Sequence, residues 1–487
     1  MGLINNNETC HVCYENTDGK IKCQYEKSKL FDYDGKKWCM FHNPDQNIWA
    51  NTSSIVHFNE EIEHILKWAT KNQEEIVDFS YTKFPKEFKI PQELYTTCKS
   101  DISISLKNCE FFGKIIFKSG TINIDFSNAI LYESVIFIDC TLKDSSFNNT
   151  NFHSKTIFTN CTMDLTIFYE TQFREAVLFY WTTFCSLIAT EKKTVFESVT
   201  FCKDATFTNT VFPPDGIFKD VTFKKEVDFS YQGSPYPARV FAFLTNLQNT
   251  TETYFSSHFK KEPINEVWGI SFINCKFNTS TFENRIFTAK TDFSSSIFYK
   301  APFFYGCKFH QHTIFPEQRN FKDTSSLEAA HAYRTIYLEM INLKSRDYVN
   351  MFYALMQKSE RNSGAQPHCI RIASWLYEKT TTYGQSISKP ICLLTILTIL
   401  FGVVYALLAS PYYDSSSSID WDIILHGMDT SIQQIVKPFS YYAETLSKKN
   451  LMQHTIIFKI AAMTQSISSL SLIALFLLSL RWKFKKD

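Results

Sequence analysis

The chain is predicted to be mainly β: a quadrilateral β-helix, or solenoid, followed by an α-helical hairpin and two transmembrane helices. Three observations carry that expectation. A large apolar residue recurs every five or six positions through most of residues 101–323, residues 327–362 have helical periodicity, and two long runs near the C-terminus carry no charge.

A length of 487 residues exceeds one ordinary domain. A formal net charge of +1 gives no whole-chain attraction to nucleic acid or other polyanions. Phenylalanine is abundant, with 46 copies, and glycine scarce, with 13. Scarce glycine argues against phosphate-cradling loops and hairpin-rich sandwiches. The opening MGLINNNETCHVC has neither a basic n-region nor an apolar h-region, so the N-terminus is expected to stay in the cytoplasm. The 14 cysteines are scattered, and many fall at regular places in the repeat. That is thiol packing in a reducing compartment and not a disulfide framework.

Residues 1–50 are polar and hold Cys10, Cys13, Cys39 and His42. A C-x2-C pair followed by C-x2-H supplies three thiolates and an imidazole, a full tetrahedral set for structural zinc. Cys23 is an alternative ligand. With every position filled by protein, such a site is structural and not catalytic. Residues 51–100 form a helical linker or cap, because Ile62, Ile65, Leu66, Ala69, Ile76 and Val77 repeat with helical spacing through 57–80.

The repeat itself is clearest in SSFNNTNFHSKTIFTNCTMDLTIF, 145–168, with apolar marks at Phe147, Phe152, Phe158, Met163 and Phe168. It continues through Phe229 and resumes from Phe272 to Phe293, Phe298, Phe303, Phe309 and Phe315. Two positions before most marks stands a small residue: Thr150, Thr156, Cys161 and Thr166 here, Cys275, Ser280, Ala301 and Cys307 later. One large and one small side chain per five residues point inward, so four five-residue sides make a square turn. Stacked turns would lie one strand spacing apart, roughly 4.8 Å. The six-residue steps are expected to be single-residue bulges. Residues 185–195 and the longer 230–269 interrupt the pattern and are expected to loop out.

On these paired large and small positions the chain resembles the bacterial pentapeptide-repeat proteins, in their Phe-rich variant. The resemblance covers nearly half the chain. It implies a right-handed quadrilateral β-helix with phenylalanines stacked in ladders.

Beyond the repeat, LEAAHAYRTIYLEMINLKSRDYVNMFYALMQKSERN reads as a helical hairpin broken at Lys344, Ser345 and Arg346, within a cytoplasmic helical segment, 324–388. Residues 389–487 form a two-helix transmembrane domain. Pro390–Ser410 and Ala461–Leu480 are both uncharged and long enough to cross a core of about 30 Å. Arg371, Lys379 and Lys389 precede the first, and Arg481, Lys483, Lys485 and Lys486 follow the second. Both basic clusters predict cytoplasmic termini, with the outer loop near 411–455, and the resemblance implies that the membrane is a bacterial inner membrane. The C-terminal segments also resemble the membrane module of some bacterial pentapeptide-repeat proteins. Gln465, Ser466 and Ser469 in the second span are candidates for lining a pore or for packing helices.

No hydrolase elbow, phosphate loop or HExxH motif is present, so an enzyme is not expected. Three functions compete. The first is a membrane-anchored scaffold whose β-helix binds an unidentified protein partner. The second is a channel or pore subunit, a homo-oligomer with the β-helix as regulatory domain. The third, a DNA-mimicking topoisomerase inhibitor, needs an acidic surface, yet residues 101–323 hold 23 acidic against 22 basic residues. No nucleic-acid partner is expected.

Overall fold

The structure, a computed structural model, describes residues 30–33, 36–43, 52–88, 102–185, 194–213, 216–232, 265–267, 269–409, 421–439 and 456–484. It divides into two compact units, 1–323 and 324–487.

In the first unit an antiparallel pair, Leu30–Tyr33 with Lys36–Cys39, precedes helix α1, Thr52–Asn72. The helix buries Phe58, Ile62, Leu66 and Ala69 on one face. Ile76 and Val77 were expected in this helix. They instead belong to a strand, Ile76–Asp78, which pairs in parallel with Ser103–Ser105. The helix stops at Asn72, and Gln73 takes the left-handed conformation, φ 55°. Parallel pairing therefore begins at Ile76, ahead of the expected start at 101.

From there the chain builds short parallel strands: an 18-stranded sheet, a 4-stranded sheet and a 2-stranded pair. Partners stand about 21 residues apart in sequence: Phe158 lies beside Phe137 on one flank and Phe179 on the other. The rings follow the register in columns. One runs Phe117, Phe137, Phe158, Phe179, Phe207, with centroids 4.6–4.9 Å apart and planes nearly parallel. A second contains Phe147, Phe168, Phe196 and Phe218 at 4.9–5.0 Å. A third contains Phe152, Phe173, Phe201 and Phe223 at 4.8–5.1 Å. In the fourth, Leu142, Met163 and Phe184 are in register, and Phe212 stacks on Phe184. The first two columns meet edge to face, as between Phe147 and Phe158. Both arrangements suit the ring quadrupole.

Three details explain the repeat. The small inward residue is a donor as well as a spacer: Thr150, Thr171 and Thr182 donate their hydroxyls to the carbonyls of Phe126, Phe147 and Phe158, at 2.8, 2.7 and 3.1 Å. Three positions before the marks the backbone turns with positive φ, mostly at Asn or Asp, as at Asn128, Asp139, Asn149, Asn160, Asn209 and Asn274, but also at Leu165, Glu170, Trp181 and Ser198. Asn and Asp tolerate this region better than other side-chain-bearing residues, which lets the chain turn corners with so little glycine. The six-residue steps recur at one place in successive repeats, 131 to 137, 152 to 158, 173 to 179 and 201 to 207, so they preserve the register.

That rule also corrects one mark. Phe304, not Phe303, is buried and stacks on Phe282 at 4.7 Å, because the step from Phe298 is six residues. Both interruptions leave the columns intact: Phe196 stacks on Phe168, and Phe272 on Phe218 at 5.1 Å.

The second unit is helical. Helix α2, Leu327–Asn342, is capped by Ser326, whose hydroxyl accepts from the Ala329 amide at 3.0 Å. Lys344, φ 56°, breaks the chain, and α3, Arg346–Asn362, packs back on α2. Then come α4, His368–Thr381; α5, Ser388–Ala409; α6, Trp421–Val436; and α7, Ile456–Phe484. Among the described residues two helices are long and apolar enough to cross a membrane, over Ser388–Leu408 and Ile456–Arg481.

Candidate functional site

Of the proposed zinc ligands, Cys10 and Cys13 lie outside the described residues. Cys39 and His42 are brought together by a tight turn in which the His42 amide donates to the Cys39 carbonyl at 3.2 Å. Both side chains are buried. Cys39 Sγ lies 3.2 Å from His42 Nδ1, and His42 Nε2 lies 3.1 Å from the Ser80 carbonyl. Two ligands on a tetrahedral zinc would stand roughly 3.5 Å apart, given Zn–S near 2.3 Å and Zn–N near 2.0 Å. Zinc-bound histidines commonly donate their other ring nitrogen to a carbonyl, and the Ser80 carbonyl stands beside His42 Nε2. The turn is held in place: Phe41 packs on Phe58 of α1 at 5.1 Å, and its carbonyl accepts from the Lys83 amide. Among the described residues no three His, Cys, Asp or Glu side chains form a metal-holding group.

The cysteines of the repeat are packing residues. Burial pushes the Cys109 and Cys161 thiols up, and that of Cys275 to about 12. Cys161 and Cys275 take the same donor role as the threonines, toward the Phe137 and Phe218 carbonyls. One inward position holds Arg285, two before Phe287, which the sequence pattern did not single out. It is 1% exposed, and its guanidinium donates to the carbonyls of Phe229, Phe207 and Thr210 at 2.7, 3.3 and 3.1 Å. Burial lowers its pKa to about 10, leaving it charged at neutral pH.

Outward residues also stack. Phe112 lies parallel to Tyr132 with centroids 5.1 Å apart, and Tyr132 meets His153 at 5.1 Å. Arg174 follows one repeat on, where the Phe152–Phe173 register puts it next to His153. Partial burial and the Arg174 charge lower the His153 pKa, which favours neutral imidazole. Tyr132 is 38% exposed, and its hydroxyl lies 3.4 Å from Glu110. This is an aromatic stripe ending in a cation. A second outward ladder, Ile136, Ile138, Ile157 and Tyr180, is buried within the chain and offers no free surface.

In the helical unit, Gln465, Ser466 and Ser469 all face helix interiors at 0–1% exposure. Gln465 Nε2 donates to Ser431 on α6 at 2.7 Å, and Ser431 donates to the Thr398 carbonyl on α5 at 2.8 Å. Ser466 donates to Gln434 Oε1 at 2.8 Å. Among the described residues these side chains join three helices. Among the described residues Gln434 Nε2, Gln465 Oε1 and Ser469 Oγ have no hydrogen-bond partner.

Close backbone approach makes the layer possible. A Cβ built on Gly427 would run into the Gly402 carbonyl oxygen and the Ala406 backbone nitrogen. Thus α6 runs antiparallel along α5, Gly427 beside Gly402 and Ala406, Ser431 beside Thr398. Helix α7 is antiparallel to α5 as well, since Phe458 packs on Tyr405 while Gln465 reaches the layer at Thr398. Thr398 lies halfway along α5. At 16 residues, about 24 Å, α6 passes the middle of α5 at Ser431 and continues to Val436, but it is too short to cross a core of about 30 Å. It buries Gly427, Thr430, Ser431 and Gln434 and exposes Leu425, Ile432 and Val436. The sequence supplied the candidate polar residues of α7 but not their partners, because those depend on which turn of α6 meets α5.

Comparison with family models, with curated proteins and with solved structures gives no match for the chain.

Proposed function

We propose that this chain is a membrane-anchored pentapeptide-repeat protein whose cytoplasmic domain is a right-handed quadrilateral β-helix serving as a protein-interaction scaffold. The ring columns and the repeat register support the coil, and the two apolar helices support the anchor. The observation that carries the scaffold is the outward stripe of Phe112, Tyr132, His153 and Arg174. Aromatic residues and arginine are enriched at protein interfaces, tyrosine and arginine among the residues that dominate binding, and a packed core fixes these four along one line. A photo-crosslinking residue at position 132, in cells making the full chain, tests it. A discrete adduct that disappears on R174E supports the scaffold. Labelling no different from a control at Lys224 overturns it.

A structural zinc held by Cys10, Cys13, Cys39 and His42 belongs to the same proposal, and the Cys39–His42 geometry supports it. The full chain should carry about one equivalent of zinc, lost in C39A; metal analysis finding none in the parent chain removes the assignment.

One observation favours the channel alternative. A helix too short to cross the core, packed along the first span and bonded to the second, has the plan of a re-entrant pore helix. On this reading several copies surround a pathway. Purified full chain in planar bilayers should conduct, and silence across salts and voltages would remove the alternative.

A further inference from the structure

The geometry points to α4 as an in-plane membrane helix that lays its outer face in the lipid headgroup region at the cytoplasmic ends of both spans. This rests on the membrane assignment of α5 and α7.

Helix α4 has its polarity turned inside out. Its packed side carries Ser374, Tyr377, Glu378 and Thr381. Glu378 pairs with Arg361 of α3 at 2.5 Å, and Ser374 and Arg361 both reach the Tyr383 hydroxyl, at 3.0 and 3.2 Å. Its outer side carries Ile372, Trp375 and Leu376, at 60%, 49% and 48% exposure. At 100° per residue these three fall within one arc, with Ala373 and Cys369 beside them and Lys379 among them. A helix facing water would have the reverse arrangement.

The occupant of that face follows from position and charge. α4 packs against α3 and also touches α5 and α7. Helix α4 ends at Thr381 and α5 begins at Ser388, so the short turn between them holds α4 at the start of α5, and in the antiparallel pair the end of α7 lies beside that start; α4 therefore sits where both spans leave the apolar core. The connection is stiff: Thr382, Tyr383 and Gly384 are all left-handed, at φ 54°, 56° and 84°. Tyr383 is buried, the Gly384 amide donates to Thr381 Oγ1 at 3.0 Å, and Gln385 Nε2 donates to the Asn350 carbonyl at 2.9 Å. Lys379 and Lys389 are exposed on either side of this turn and suit anionic lipid phosphates. Tryptophan at the edge of the apolar face suits the interface. Residues 368–381 therefore contact lipid, although the sequence pattern placed them in a cytoplasmic segment.

The test uses full chain in vesicles of phosphatidylcholine and phosphatidylglycerol carrying a lipid with a diazirine near the headgroup, followed by peptide mapping. Adducts are expected on the α4 peptide and on α5, with none on α3. The outward substitutions I372E and L376E should together lower α4 labelling about tenfold and leave α5 labelling unchanged. Labelled α5 with unlabelled α4, or α4 labelling that survives the two substitutions, overturns the inference and leaves the membrane assignment standing. Absence of label on α5 overturns both.

Discussion

Phe158 and Thr171 show how the two inward positions divide the stabilising work. Phe158 is fully buried between Phe137 and Phe179 and meets Phe147 and Phe168 edge-on. F158A should cost about 3–5 kcal/mol, through lost burial and the cavity left in the column. Thr171 contributes one donor to an inward carbonyl, so T171V, which keeps the volume, should cost about 1–3 kcal/mol. Chemical denaturation followed by circular dichroism would rank the two, and equal losses would contradict this division. The large residue was legible in the sequence because its period is regular. The small residue was legible only as a size, and its role as a donor appears once the carbonyl it meets is placed. Arg285 was hidden for the same reason, since nothing in a size pattern says that three backbone carbonyls converge there.

The thiols give a second prediction at this scale. Cys161 and Cys275 are buried donors with raised pKa values, whereas Cys185 is exposed. Iodoacetamide at mildly alkaline pH should label Cys185 in the native chain and spare the other two until denaturant is added, as mass spectrometry would read. The sign of the pH effect follows. Above the ordinary thiol range the unfolded chain loses protons that the folded chain keeps, so the stability these thiols contribute falls as the pH rises toward about 12.

Among the elements, the crossing of α5 and α6 is the most sensitive. Both Gly402 and Gly427 are needed for close approach, because a side chain at 402 would also strike Met428. G427L should push α6 off α5 and break the Ser431–Thr398 and Gln465–Ser431 bonds together. A loss of about 3 kcal/mol or more in detergent, read by SDS-induced unfolding, is expected; a change within 0.5 kcal/mol would mean the helices do not cross here. Helix existence was readable from periodicity in 327–362, down to the break at Lys344. The end of α1 was not, because Ile76 and Val77 continue a helical spacing while their partners, Ser103 and Ile104, lie in a distant strand. Local pattern cannot see a non-local ladder. The misplaced mark at Phe303 has a similar cause: two adjacent phenylalanines fit a five- and a six-residue step, and only the column above Phe282 decides between them.

At the scale of the whole molecule, the first unit owes its order to repetition and the second to close packing around a buried polar layer. A protein built this way places its invariant chemistry inside, as rings and inward hydroxyls, and leaves the outward positions free to carry a stripe such as Phe112, Tyr132, His153 and Arg174. In the proposed topology α5 and α7 each cross the membrane once and the repeat unit stays on the cytoplasmic side. Protease added to intact spheroplasts containing the full chain tests this. Cutting is expected only in the segment between the two spans, with residues 1–323 protected as one fragment. Digestion of the repeat unit from outside, or its release by carbonate wash without any cut, would contradict it.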